Sequence, residues 1–312
     1  MKRVEIVIII FTSVLFFGRC SPQNEYPESF DTPRNGTIHI SVDESFKPVI
    51  DEQITMYQAA YPGTKIIAHY KPEADCFRDL QKDSMTRLII VTRGLSLNEE
   101  KFYIDSLGYN PGWNQVAKDA VTLIVHANSN DSIFTIERLR KQLRGEINRD
   151  QVMVFDGLKA TSAVRYVRDS ILDGAAFDTS VVKAAANSRD VIDYVASHEN
   201  AIGILGVSWI GNPEDTSHIR LLKKVKIGFV ECSTCLDTTY IRPTQLAILT
   251  KRYPLVRGLY YIIKENYTGL GTGFVSFLKN EPGQLIFKRA YLGTTMGFGT
   301  RNVKINQTLD QD

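Results

Sequence analysis

The hydrophobic pattern is clearest between Thr37 and Pro62. Ile38, Ile40 and Val42 alternate with His39 and Ser41, the period of a strand with one buried face. Asp43-Glu44-Ser45 makes a polar turn. Phe46, Val49, Ile50, Ile54, Tyr57 and Ala60 then recur at helical spacing until the breaker pair Pro62-Gly63. Strand, short loop and helix follow directly on one another. At such a junction the helix N–H groups are free and its dipole is positive, which suits an anionic or polar ligand. A βα unit with no ligand gives the same pattern.

Further strands are predicted at 65–70, 87–93, 119–126, 151–155 and 201–205, with helices at 77–81, 98–107, 136–143, 162–172 and 189–197. Near the C-terminus, 245–250 and 259–264 read as strand-like runs, and 269–278 and 284–290 as helices. Strands alternating with helices predict an α/β protein with mostly parallel sheets. Two such sheets joined at one crossing would bring two helix-start loops, 43–46 and 156–162, to a common cleft.

The N-terminus follows a different pattern. Met1-Lys2-Arg3 is basic, and residues 6–17 are apolar apart from Thr12 and Ser13. That run is short for a membrane span and fits a signal-peptide core. Cys20 comes directly after it, as in the lipobox of bacterial lipoproteins, although Arg19 takes the place of the usual small residue. Residues 1–20 are thus expected to be a signal peptide with lipidation at Cys20, and 21–35 an exposed tether. An exported, lipid-anchored protein of the periplasm or cell envelope is expected.

Lys and Arg total 37 against 35 Asp and Glu, so no basic excess points to nucleic acid. Export permits disulfides, and the Cys232-Ser-Thr-Cys235 spacing fits a local disulfide or two free thiols. The five histidines are scattered without metal spacing, and no GxSxG, HExxH or Walker A motif is present. Neither a cofactor, a metal nor a catalytic residue is therefore expected.

Several segments in order carry a family resemblance. They are the strand-loop-helix with Pro48, Thr92-Arg93 before a helix with Glu99, Asp119-Ala120-Val121, Ala201-Ile202-Gly203-Ile204, the run from Tyr253 to Tyr261, and Pro282-Gly283-Gln284. Over residues 36–300 the chain resembles the PstS-like phosphate-binding proteins of ABC importers, a type 2 periplasmic-binding-protein family. The resemblance implies a two-lobed α/β fold with helices on both faces of each sheet. Lobe one would comprise 36–126 plus 240–312, and lobe two 127–239. It implies a receptor that closes on phosphate or a related small anion and delivers it to an ABC permease. The ligand positions it implies are Ser45, Phe46, Arg87, Thr92, Arg93, Lys159, Thr161 and Ser162.

At those positions the chain departs from the family. Asp43-Glu44-Ser45-Phe46 replaces a Gly/Ser/Thr-rich loop, and Lys71 to Asp75 replaces Gly-Ser-Gly. The family's proton-accepting acid falls at Arg87 and its arginine at Asp156. A phosphate pocket needs convergent donors, a guanidinium and one proton acceptor. A second expectation therefore stands beside the importer: a binding-protein fold with a degenerate site, acting as an interaction module with another envelope protein.

Overall fold

The opening alternation becomes β1 (Asn35–Asp43), whose inward residues Ile38, Ile40 and Val42 are buried. The computed structural model describes residues 31–157 and 161–298, and divides the chain into residues 1–30 and a unit of residues 31–312. The signal-peptide, Cys20 and Lys159 expectations therefore lie outside the described residues.

A 3-10 turn, Glu44–Phe46, leads from β1 into α1 (Lys47–Ala60), which has Pro at its start, where no N–H partner is lost. Next come β2 (Gly63–Lys71), α2 (Glu73–Lys82) and β3 (Thr86–Val91). Ser96 and Glu99 form a capping box on α3 (Leu97–Leu107), and Gly108, at φ 75°, ends it in the left-handed region that glycine tolerates. The 15-residue β4 (Gly112–His126) follows, then β5 (Ile133–Phe134), α4 (Ile136–Leu143), β6 (Val152–Phe155) and α5 (Ser162–Ile171). After β7 (Val182–Ala184) come α6 (Ser188–Ser197), β8 (Ala201–Gly206), α7 (Thr216–Leu221), β9 (Val225–Ile227), β10 (Phe229–Glu231) and β11 (Tyr240–Ile241). The chain continues through α8 (Gln245–Leu249), β12 (Val256–Ile263), α9 (Leu270–Lys279), α10 (Glu281–Arg289) and β13 (Gly293–Thr294).

The main sheet runs β2-β1-β3-β12-β4-β8-β6-β7. Its outer pairs, β1/β2, β1/β3, β6/β7 and β6/β8, are parallel, as βα units require. The pairs made by the crossing strands β4 and β12 are antiparallel, because each carries the chain against the direction of its neighbours. β4 belongs to both halves. Its residues 112–120 pair with β12, and 121–126 pair with β8 and β9.

Two cores match this division. Ile40, Phe46, Ile50, Leu88, Leu259, Phe274 and Phe287 pack in one, and Val121, Phe155, Val164, Ile202, Tyr253 and Leu255 in the other. Pairing and packing place the change of lobe near Ala120/Val121 and Leu255/Val256. A cut at 126/127 or 239/240 would separate residues 120–125 of β4 and residues 247–255 from the second core they fill.

Residues 245–249 also differ from expectation, being helical. The Thr244 hydroxyl accepts from the Ala247 amide, and this N-cap prevails over the apolar run. Cys232 and Cys235 are disulfide-bonded, and Cys76 is a buried free thiol.

Candidate functional site

The two helix-start loops meet between the lobes. Asp43 ends β1 and caps the 3-10 turn, its Oδ1 accepting from the Ser45 amide at 2.9 Å. Across the cleft, Asp156 follows β6, and Ser162 opens α5 behind its N-cap Thr161. The Ser45 and Ser162 hydroxyls stand 3.2 Å apart, and Ser45 Oγ is 3.5 Å from Asp156 Oδ2. Ser188, which opens α6, donates its hydroxyl to Glu44 at 2.8 Å and lies 3.3 Å from Asp156. The Ser208 hydroxyl donates to the Ser45 carbonyl at 3.0 Å.

Arg257 of β12 sits beneath these groups, only 4% exposed. Its Nε donates to Asp119 Oδ2 at 2.7 Å and its Nη1 to Ser162 Oγ at 2.8 Å, while the guanidinium lies over the Phe46 ring. Gly206 makes room for it, since a Cβ there would stand 3.1 Å from Arg257 Nη2. Asp43 Oδ2, Asp156 Oδ1 and Arg257 Nη2 have no hydrogen-bond partner.

A second cluster closes one side of the cleft. Glu73, at the start of α2, accepts from the Thr92 amide at 2.8 Å, the Thr92 hydroxyl at 2.5 Å and Arg165 Nε of the other lobe at 2.7 Å. Burial opposes ionisation of Glu73, but the bonds and charge of Arg165 outweigh it and hold the carboxyl below its ordinary value. Asp43 behaves oppositely. Burial, reinforced by the like charge of Glu73, pushes it up to about 7, although Arg257 works the other way. Asp156 and Glu44 are raised too, chiefly by burial.

Among the described residues, Asp43, Glu44, Glu73, Asp119 and Asp156 thus face Arg165 and Arg257, with Lys47 acting on Glu44 and Arg93 on Glu73 from farther out. Once Asp119 is paired with Arg257 and Glu73 with Arg165, the remaining charge is acidic.

The structure brings Ser45, Phe46, Thr161 and Ser162 of the expected ligand set together, and places Thr92 in the Glu73 cluster. It does not bring in Arg87. That side chain leaves the opposite end of β3 and makes a bidentate pair with Asp31, at 2.9 and 2.6 Å, beside Tyr267. Arg93 turns to Glu99, at 2.8 and 2.9 Å, and stacks on Phe77. Besides Arg165, the guanidinium in the cleft is that of Arg257, which the strand pattern did not single out. Its signal was available: Asp119 and Arg257 are opposite charges set within two apolar strands, and such charges need a partner.

Comparison with known proteins bears on the fold. A family model described as a PBP superfamily domain matches residues 28–281. No curated protein matches the chain. Among solved structures, one similar chain is a Clostridium perfringens protein described as a phosphate ABC transporter substrate-binding protein with bound phosphate. It shares 18% identity over 84% of this chain and 100% of its own, with a TM-score of 0.66. An ABC-type phosphate transport receptor from Vibrio cholerae shares 15% identity over 83% and 100%, with a TM-score of 0.58. The regulatory domain of Synechocystis CcmR, solved with 2-PG, shares 11% over 78% and 96%, with a TM-score of 0.53. At these identities the likeness is one of fold.

Proposed function

Because the chain belongs to the PBP superfamily, we propose that it is a solute-binding receptor of an ABC importer, holding a small ligand between its two lobes. The carrying observation is the convergence of Ser45 and Ser162, from helix starts of opposite lobes, on the buried Arg257 guanidinium. Parting of the lobes would free both hydroxyls for a ligand, and closure would surround it. The test is calorimetry of the chain against phosphate, sulfate, molybdate and short organic acids. Heats that saturate and vanish in Ser162→Ala support the receptor reading.

Phosphate itself is expected to bind weakly or not at all. A dianion would meet Asp43, Glu44 and Asp156 at close range, where like charges repel strongly. Arg87 and Arg93 are engaged elsewhere. Charge-assisted bonds contribute about 1.5–3 kcal/mol each, so loss of two weakens affinity by roughly 10²–10⁴-fold. Submicromolar phosphate binding, abolished by Ser45→Ala or Ser162→Ala, would overturn this expectation and make phosphate the ligand.

One observation favours a second reading, a degenerate site in an envelope interaction module. Ser45, Ser162, Ser188 and Ser208 already bond one another or their neighbours across the cleft, using donors that a ligand would need. Saturation by no solute, together with capture of a specific envelope partner, would select it.

We also propose anchoring through an acyl chain on Cys20, on the sequence pattern alone. No helix among the described residues is long and apolar enough to cross a membrane. Cys20→Ala should move the protein from the membrane to the soluble fraction, and unchanged partition would refute the anchor.

A further inference from the structure

Three side chains around the Ser45–Ser162 contact keep unused bonding capacity. Asp43, Asp156 and Arg257 are each more than nine-tenths buried, and Asp43 Oδ2, Asp156 Oδ1 and Arg257 Nη2 lack a partner. All three belong to one cluster. Asp43 accepts from the Ser45 amide, Asp156 approaches the Ser45 hydroxyl, and Arg257 donates to Ser162. Buried polar atoms in a folded protein are nearly always satisfied; of the ten side-chain atoms without a partner among the described residues, these three gather around one interlobe contact, with Asp119 Oδ1 behind Arg257.

The chemistry of a molecule received there follows from the atoms it must meet. Two are carboxylate oxygens and one is a guanidinium N–H, so the ligand must present donors to the first two and an acceptor to the third. The charge left after the Asp119–Arg257 and Glu73–Arg165 pairs is negative, which calls for a cation. Among the described residues no three His, Cys, Asp or Glu side chains are arranged to hold a metal ion. An organic cation is therefore the better fit.

Granting the receptor reading, we propose that the cleft takes a small solute bearing a protonated amine and a hydrogen-bond acceptor. The ammonium lies between Asp43 and Asp156, and the acceptor faces Arg257 Nη2. Ser45 and Ser162, parted from each other, supply the remaining hydroxyls. This selectivity is opposite in sign to that of a phosphate receptor, and residues 43 and 156 set it.

The cleft's titration gives a second readout that needs no variant. Asp43 is faced by Glu73 and Cys76 of α2, Arg257 of β12 and, across the cleft, the Ser162 hydroxyl. Burial pushes the Asp43 carboxyl up to about 7, and burial raises Asp156 as well. Acidification to pH 5.5 protonates Asp43 and removes one of the two carboxylates that hold the ammonium. Amine affinity should fall with pH, whereas that of an anion should rise.

The experiment is calorimetry of the full chain in mild detergent with glycine, ethanolamine, lysine and putrescine, and with inorganic phosphate, at pH 7.5 and 5.5. At least one amine is expected to bind at pH 7.5 and to weaken at pH 5.5. Asp43→Asn and Asp156→Asn, close in shape to the native residues, should each weaken it about tenfold to a hundredfold. Binding of phosphate without any amine would overturn the amine assignment and leave the receptor reading standing. Amine binding indifferent to pH and to both variants would also overturn the assignment. Silence from every probe would count against both readings.

Discussion

Replacing Arg257 with methionine is expected to destabilise the fold by about 3–5 kcal/mol, the range for breaking one side of a buried ion pair. The volume is similar, so the effect is one of charge. Arg257 Nε and Asp119 Oδ2 are 2.7 Å apart, with side chains 2% and 0% exposed. Without the guanidinium, Asp119 is left uncompensated in the interior, and Asp43 and Asp156 lose the cation that faces them both. Ser162 also loses the donor that fixes its hydroxyl. Urea unfolding would measure the change, read from the midpoint at constant slope. Adding Asp119→Asn to Arg257→Met should recover part of the loss, because neighbouring sites couple. A single variant within about 0.5 kcal/mol of the parent would sink the expectation, since that is the range of an inert surface change.

A second large effect should appear as a change in pH dependence. Burial and the charge of Glu73 raise the Asp43 carboxyl from its usual 3.8 to about 7. The folded protein therefore holds a proton that the unfolded chain has released between about pH 4 and 7. Its stability falls as pH rises through that window, and the full penalty is present above it. At about 1.36 kcal/mol per decade of proton affinity, the upper bound is about 4 kcal/mol. Asp43→Asn keeps an oxygen that can accept from the Ser45 amide and carries no charge, so it should be more stable than the parent at pH 8 and nearly equal to it at pH 4.

Groups away from Asp43 shape the curve of each protein but cancel in the difference, whereas Glu73, whose charge raises Asp43, does not. Glu265, raised to about 7 chiefly by burial, also favours low pH. Glu99, held at about 2 by Arg93 and Ser96 against the effect of burial, contributes stability that is lost as pH falls from about 4.5 toward 2. Thermal melts of the two proteins from pH 4 to 8 would read the difference. A gap that does not widen with pH would show that Asp43 is not the group responsible.

Much of this architecture was legible in the chain because its signals are local. The alternation at Ile38, Ile40 and Val42 and the helical spacing from Val49 to Tyr57 each report a single face, and both faces are buried as predicted. The loops 43–46 and 156–162 were legible because helix starts are local too, and the structure brings both to one cleft. Arg87 and Arg257 depend on tertiary placement. A strand pattern says which residues are strand but not which end meets the cleft, and Arg87 lies at the end away from it. Nor does it say which strands are neighbours, so the match between Asp119 and Arg257, set by the pairing of β4 with β12, could not be read. At 245–249 two local signals conflicted, and the threonine cap prevailed over the apolar run.

The position of β12 in the sheet imposes an order of events on synthesis. β12 lies between β3 and β4, yet it is the last of the three to leave the ribosome. Until residue 263 has emerged, the first lobe has a gap at its centre, and β3 and the first half of β4 present unpaired backbone edges. Such edges are templates for wrong pairing. At about 5–20 residues per second, the wait from the end of β3 is on the order of ten to thirty seconds. Through that interval the apolar strand Leu88-Ile89-Ile90-Val91, fully buried in the finished protein, depends on holdase binding or on delayed collapse to stay out of aggregates. The nascent chain is thus most vulnerable while its second lobe is being made and the first waits for one returning strand.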